Sequence, residues 1–464
     1  MLPPFKEFML LPKEMQATFS ELKISSHLRQ ANIKKSKGFS CLYLFTLIFL
    51  LTFHHRTWFQ SKFCDRKASD LPGKDVVYRF LSTSTYNWRR FLLSLSPYVI
   101  SLCTKLTTDD RVNVLIVDDS LFERHRSKKV ELLSTVYDHV SHKYLKGFQL
   151  LTLGWSDGYS FIPCNFSLMV SAKKLLVNLS SEIDKRSSGY KRRIEALVDK
   201  PTATLNLVKQ TLSQGIAADY LLMDSWFTEA PLIKEVMNEG LDVIGMVKKT
   251  SKRFYQYKGK KFPLQTLITH CNVNQKIFSH QEGSLGSIQV KLNNGIPVKI
   301  VFIRHQKYKT EWLAILSTNT SLSDEEIIRI YGYRWDIEVF FKCNKSHLKL
   351  NKEFQCRSYD SMIGHTTIVF TRYIFLAWEN RKTNDPKTLG MIFYDYCSEV
   401  KDVDLETALK GLLTMVQEII DLGEREITIN TEVVKKQLDN WMMTLPITSR
   451  GYWVFRCAKV EFLT

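Results

Sequence analysis

Two periodicities alternate along this chain of 464 residues. Short apolar, β-branched runs, VNVLIV at 112–117 and DYLLM at 219–223, read as buried central strands, because a strand covered on both faces loses the polar alternation of a half-exposed one. Each ends in acid, the first in Asp118-Asp119-Ser120 and the second in Asp224. Next to the first lie YLKGFQLLTLGWS (144–156) and YSFIPCNFSLM (159–169), separated by Asp157-Gly158, a two-residue hairpin signal. Helical spacing at 203–214 and 229–239 brackets the Asp224 strand, and the strand DVIGMVK (242–248) completes a βαβ unit. From Thr250 the pattern shortens to basic and aromatic strands such as SKRFYQYKGKK (251–261), with Asn294-Gly295 turning IQVKL into IPVKIVFI and Trp312 on the next strand, EWLAIL.

After these strands the period becomes helical. Ser323-Asp324-Glu325-Glu326 fits a capping box, in which the serine oxygen and the glutamate three residues on satisfy free backbone N–H groups. The helix it opens is expected to run through Lys345 unless Gly332 interrupts it. Within YGYRWDIEVFFKCNK (331–345), Tyr331, Arg334, Glu338 and Lys345 are spaced so that, at about 100° per residue, they fall within a stripe of about 60°. Ile337, Phe340 and Phe341 point elsewhere and pack the helix down. The plainer alternative is a solvated face with an i,i+4 ion pair between Arg334 and Glu338.

The amino-terminal third is read from the same patterns. The apolar stretch 38–53 (GFSCLYLFTLIFLLTF) is 16 residues long and followed at once by His54, His55 and Arg56, short of the roughly 18–20 residues a spanning helix needs. It is expected to be a buried helix, and Lys6, Glu7, Lys13 and Glu14 break any cleavable signal. DVVYRFL (75–81) and YNWRRFLLSL (86–95) suggest two helices, either a helix-turn-helix with Trp88, Arg89 and Arg90 opening a recognition helix or a hairpin packed on the core. KRSSGYKRR (185–193) is expected to expose Lys191, Arg192 and Arg193 to phosphate. Helical spacing returns at 403–422.

Composition narrows the function. With 44% hydrophobic and 12% aromatic residues the chain is no disordered tail. Its 65 Lys and Arg against 47 Asp and Glu give a net charge of +18, which favours a polyanionic partner, nucleic acid first among them. Nine cysteines without a CxxC pair point to reduced thiols in a cytoplasmic protein rather than to a zinc finger. Two strand-end acids and a helix bearing a carboxylate, two cations and a phenol suit phosphodiester chemistry: carboxylates hold a divalent metal, and cations neutralise phosphate oxygens.

The VDDS segment at 117–120, LLMDSWF at 221–227 and the complete Tyr331, Arg334, Glu338, Lys345 set make this chain resemble the DDE transposases of bacterial insertion sequences, in the branch with a Y-R-E-K signature. The resemblance spans roughly residues 75–380. It implies an α/β fold, a ribonuclease-H-like mixed sheet flanked by helices with a β-rich insertion. The expected division is a helical DNA-binding region at 1–105, a core in two parts at 106–249 and 321–380, the insertion at 250–320, and a carboxyl-terminal region at 381–464 that supports dimerisation.

By resemblance Asp119, Asp224 and Glu338 hold two Mg²⁺ (or Mn²⁺) ions. Strand phase leaves Asp118 and Asp119 open, since both faces of 114–117 are apolar. Relatives place the ligand directly before Ser or Thr, which selects Asp119, with Asp118 as second choice. Tyr331, Arg334 and Lys345 are implied to contact phosphates near the cut, Lys342 less directly, and Trp312 to stack against a displaced base. The implied reaction is cut-and-paste: hydrolysis at the element's terminal inverted repeats, a hairpin intermediate, and attack of the freed 3′-OH on target DNA by a homodimer, without a membrane. The rivals are an inactive DNA-binding derivative and a metal-dependent nuclease on the same fold.

Overall fold

Helices form first along the chain, and the apolar ones end up inside. The computed structural model describes residues 11–64, 71–108, 111–138, 142–179, 183–270, 284–304, 312–383 and 387–423, with a few positions at 436–440. It begins with α1 (Lys13–Glu21), α2 (Ile24–Gln30) and α3 (Cys41–Leu50). Every residue of α3 is buried, and Ser40 caps it by accepting from the Tyr43 N–H at 3.1 Å. A helix apolar all round must be enclosed on all sides, and Phe19 and Phe375 enclose Phe49 at centroid separations of 4.8 and 5.6 Å. No described helix is long and apolar enough to cross a membrane.

Two helices follow, α4 (Lys74–Ser82) and α5 (Trp88–Thr104). Here the recognition-helix reading is corrected. Trp88 is buried against Phe80 and lies where a side chain at Gly364 would clash with it. Arg89 is ion-paired to Glu195 at 2.5 Å and donates to the Phe166 carbonyl, while Arg90 alone of the set is exposed. The aromatic and aliphatic residues of α5 turn it into a core helix, the packed hairpin that the sequence left as its other reading.

The sheet is built next, from β1 (Val114–Glu123), β2 (Ser134–Asp138), β3 (Lys143–Ser156) and β4 (Phe161–Met169), then α6 (Ser188–Ala196), α7 (Lys200–Leu212), β5 (Tyr220–Met223), α8 (Ala230–Asn238) and β6 (Asp242–Met246). The spatial order β4-β3-β1-β5-β6, with β3 antiparallel to both neighbours and β1, β5 and β6 mutually parallel, is the ribonuclease-H-like arrangement. The β3–β4 connection takes four residues, Asp157 to Ser160, rather than two. The Asp157 carboxylate accepts from the N–H groups of Tyr159 and Ser160, and Arg381 binds it at 3.0 Å.

Beyond β6 the strands β7 (Phe254–Tyr257), β8 (Lys260–Pro263), β9 (Ser284–Lys291), β10 (Pro297–Arg304) and β11 (Trp312–Ser317), with α9 (Leu264–His270) among them, continue the same sheet. β11 pairs antiparallel to β6, so no gap separates the insertion from the core. Asn294-Gly295 turns β9 into β10 with Gly295 at φ +84°, a left-handed conformation that glycine adopts without strain. The chain closes with α10 (Asp324–Gly332), α11 (Trp335–Ser346), α12 (Tyr359–Lys382) and α13 (Leu389–Gly423). α12 is buried from Tyr359 to Trp378 and packs on α5, α4, α3 and β4.

Inside that packing lies a charged cluster. Arg372, fully buried, binds Glu353 at 2.7 Å and donates to the carbonyls of Ile48 and Phe49 at the end of α3 and of Leu348. His365 contacts the same carboxylate at 2.7 Å. The guanidinium thus satisfies the carbonyls that a helix end leaves unpaired.

Candidate active site

The site opens where two parallel strands stop pairing. β1 and β5 run together from Val114 opposite Tyr220 to Val117 opposite Met223, and β1 then continues on β3 alone. Asp118, Asp119 and Asp224 sit at the resulting splay, the carboxyl edge where ligands gather in open α/β sheets. Asp224 is held by its own loop: its carboxylate accepts from the N–H groups of Trp226 (2.9 Å) and Phe227 (3.2 Å), and Thr228 Oγ1 donates to its carbonyl at 2.6 Å. Gly245 of β6 lets that loop lie close, since a Cβ there would meet Thr228 Oγ1 at 2.3 Å.

Strand alternation separates the two adjacent acids. Asp118 and Ser120 face α11, where Arg334 Nη1 lies 3.2 Å from Asp118 Oδ2 and Lys345 Nζ donates to Ser120 Oγ at 2.6 Å. Asp119 turns the other way, and Lys200 Nζ, at the start of α7, donates to both its oxygens at 3.1 Å. Arg334 also binds Glu338 through Nη2, so one guanidinium bridges the first-strand acid and the helix acid.

The field among these groups is strained. Burial and the neighbouring Asp224 carboxylate push Asp118 up to about 7, with Arg334 opposing and Asp119 adding to the rise. Asp224 is also raised, first by burial, against the pull of its two backbone N–H donors and with a further push from Asp119. Burial lowers Lys345, partly offset by Asp138 and Glu123. Burial works against the charge on Arg334, but Tyr331, Asp118 and Glu338 outweigh it and hold the group above its ordinary value.

The signature helix is broken. α10 ends at Gly332 and α11 begins at Trp335, and the step between is taken by tight bonds from Tyr333 N–H to the Ile330 carbonyl and from Arg334 N–H to the Tyr331 carbonyl. The capping box at Ser323 and Glu326 is present. The break turns Tyr331 inward, 8% exposed, with its hydroxyl donating to the Met223 carbonyl at 3.4 Å. The phenol thus touches the end of β5 and still lies beside Arg334, whose guanidinium is 6.0 Å from the Tyr331 ring centre, with Asp224 and Asp118 close enough to raise the phenol further after burial.

Other expected DNA contacts fall in different places. Lys191 is exposed, but Arg192 and Arg193 are 5% and 1% exposed, which corrects the reading of 185–193 as an exposed phosphate-binding run for those two. Arg193 is locked to Glu131 at 2.7 Å and Asp360 at 2.8 Å, and Arg192 lies against the Phe166 ring, pulled down to about 9 by burial and by Arg89. The reason is that α6 lays this face on β4 and α12. Lys342 is exposed one helical turn beyond Glu338 and lines a cleft with Asp336, Val339 and His347. Trp312 is half-buried, edge-on to Phe302, with Lys249 Nζ 4.3 Å from its ring.

Lys200, Ser120 and Trp226 were not foreseen as site residues. Only Ser120 carried a local signal, its two-residue spacing from Asp118, which puts both on one face of a strand. The donor set is all oxygen, which suits Mg²⁺ or Mn²⁺, and a divalent cation among these acids would relieve the push of Asp224 on Asp118 and of Asp119 on Asp224. Among the described residues no group of three or more His, Cys, Asp or Glu encloses a metal position, because Arg334 stands between Asp118 and Glu338.

Comparison with known proteins adds to this geometry. The family described as DDE superfamily endonuclease matches residues 71–300, a span that holds Asp118, Asp119 and Asp224 and ends before Glu338. The transposase for insertion sequence element IS1151 of Clostridium perfringens is 27% identical over 139 residues, 27% of this chain and 27% of that protein. The chain thus spans about a quarter of the length of that relative. Of solved structures, the piggyBac transposase synaptic complex with hairpin DNA aligns with TM-score 0.41 and 12% identity, covering 95% of this chain and 84% of that one. The Drosophila P element transposase strand transfer complex aligns with TM-score 0.22 and 12% identity over 57% of each.

Proposed function

We propose, from the match of residues 71–300 to the DDE superfamily endonuclease family and the likeness to an insertion-sequence transposase, that this chain is the DNA transposase of an insertion sequence, cutting the element's terminal inverted repeats and joining the freed 3′-OH ends to target DNA. The observation that carries this reading is the convergence of Asp118, Asp224 and Glu338 with Arg334 and Lys345 at one sheet edge. A site for hydrolysis alone needs the acids; the two cations on the same helix add hold on a strand that must stay in place for a second reaction.

Asp118, rather than Asp119, is the first acid in this reading, because it shares a face with Ser120 and looks toward Glu338, while Asp119 is engaged by Lys200. Asp118, Asp224 and Glu338 would hold the divalent metal, which when bound lowers the pKa of attacking water and stabilises the leaving oxygen. Arg334 pairs with Asp118 and Glu338 and would offer its guanidinium to a phosphate at the same edge. Lys345 fixes Ser120 and supplies a cation to the strand, and Tyr331 props the end of β5. Trp312, with one face toward Lys249, suits a displaced base in a hairpin intermediate. A homodimer would synapse the two ends.

Incubation of the purified chain with Mg²⁺ and its own terminal repeats tests the proposal. Cleavage followed by joining is expected. Binding without cleavage would point to a DNA-binding derivative, and cleavage without joining to a nuclease.

A further inference from the structure

We infer that Trp226 and Lys248 form a stacking platform which, with Lys249 and Trp312, makes a track for the unpaired nucleotides of a single DNA strand leading away from the acids. The inference deepens the reading above and rests on it for the identity of the nucleic acid. Trp226 lies two residues beyond Asp224 and is 52% exposed, whereas the next residue, Phe227, is 3% exposed and anchors the loop in the core. Lys248 Nζ lies 4.0 Å from the Trp226 ring, and the very next residue, Lys249, covers Trp312 at 4.3 Å.

Topology explains why these four residues line up. β6 lies between β5 and β11, parallel to the first and antiparallel to the second. The residues that leave β6 at its carboxyl end, Lys248 and Lys249, must pass between the loop that follows β5 and the start of β11. Both lysines are exposed. The edge thus reads Asp118, Asp224, Trp226, Lys248, Lys249, Trp312, acids at one end and two indoles separated by two ammonium groups at the other.

That alternation fits unpaired nucleotides. An indole accepts the face of any base, an ammonium takes the phosphate between, and a base inside a duplex has no free face to offer. Each ammonium rests on its ring, and as a base seats it would only have to swing to the adjoining phosphate.

The test uses the full chain without divalent metal and two fluorescein-labelled probes, a 15-nucleotide oligothymidylate and a 15-base-pair duplex, read by anisotropy. W226A is expected to weaken oligothymidylate binding by roughly 5- to 100-fold, the usual range for loss of one stacked base, while duplex binding changes less than about twofold. W226L keeps the apolar bulk without an aromatic face; it should bind oligothymidylate as weakly as W226A while melting with the parent. K248A should weaken the same probe and leave the duplex unaffected. Equal losses on both probes, or no loss with W226L, overturn the track. A parent that grips oligothymidylate through Trp226 but never cuts terminal-repeat DNA would support the track and reject the transposase reading. Cutting and joining by a parent whose W226L variant binds both probes normally would do the reverse.

Discussion

At the scale of single residues, strand alternation gives the neighbouring acids different partners, Arg334 for Asp118 and Lys200 for Asp119. Asp118 and Asp119 differ by one position and so by a whole face of the sheet. Asp118→Asn is expected to abolish Mg²⁺-dependent nicking of terminal-repeat DNA, whereas Asp119→Ala should keep a measurable fraction, reduced about 10- to 100-fold as for a supporting residue. Full activity in Asp118→Asn would return the ligand to Asp119. What sequence could not show is the partner of each acid, because both faces of 114–117 are apolar and the helices that oppose them come from far along the chain. A second outcome follows from the carboxyl of Asp118, pushed up to about 7 by burial and by Asp224. Below that pH the group is mostly protonated, and metal must displace a proton to bind. The Mg²⁺ concentration for half-maximal nicking should therefore rise as pH falls from 8 to 6, measured at constant ionic strength. A flat requirement would show that Asp118 is not a ligand.

Single elements were legible wherever the signal is local. The capping box at Ser323, the Asn294-Gly295 turn and the buried strands at 114–117 and 220–223 all form where composition puts them. What escaped was which way a helix faces. The RR pairs at 89–90 and 192–193 look alike in sequence, yet Arg89, Arg192 and Arg193 turn inward because α5 and α6 each lay a face on β4. Such burial depends on partners far along the chain: Arg193 meets Asp360, and Arg372 meets the end of α3. Replacing Arg372 with Met should destabilise the fold by roughly 3–5 kcal/mol, because Glu353 is left charged and buried and the α3 carbonyls lose their donor. Chemical denaturation measures it. The double variant Arg372→Met, Glu353→Met should recover part of the loss; no recovery would assign the effect to packing alone.

At the scale of the whole molecule, the net charge of +18 draws in a polyanion, but only cations aimed at the sheet edge position it. Replacing Arg334 or Lys345 by Ala should weaken terminal-repeat binding and reduce the salt slope by about one unit each. Unchanged slopes would mean that Arg334 serves only its ion pairs with Asp118 and Glu338, and Lys345 only its hydrogen bond to Ser120. The continuity of the sheet from β1 through β11 has one more consequence. Two strand spacings, about 10 Å, separate β5 from β11, the rise of about three stacked nucleotides. Because hydrogen-bonded strands do not slide past one another, the interval between the acids and Trp312 is a fixed gauge. Under the proposed function, the cut would be measured from the end of the element by length, as a ruler does, independently of which bases lie along it.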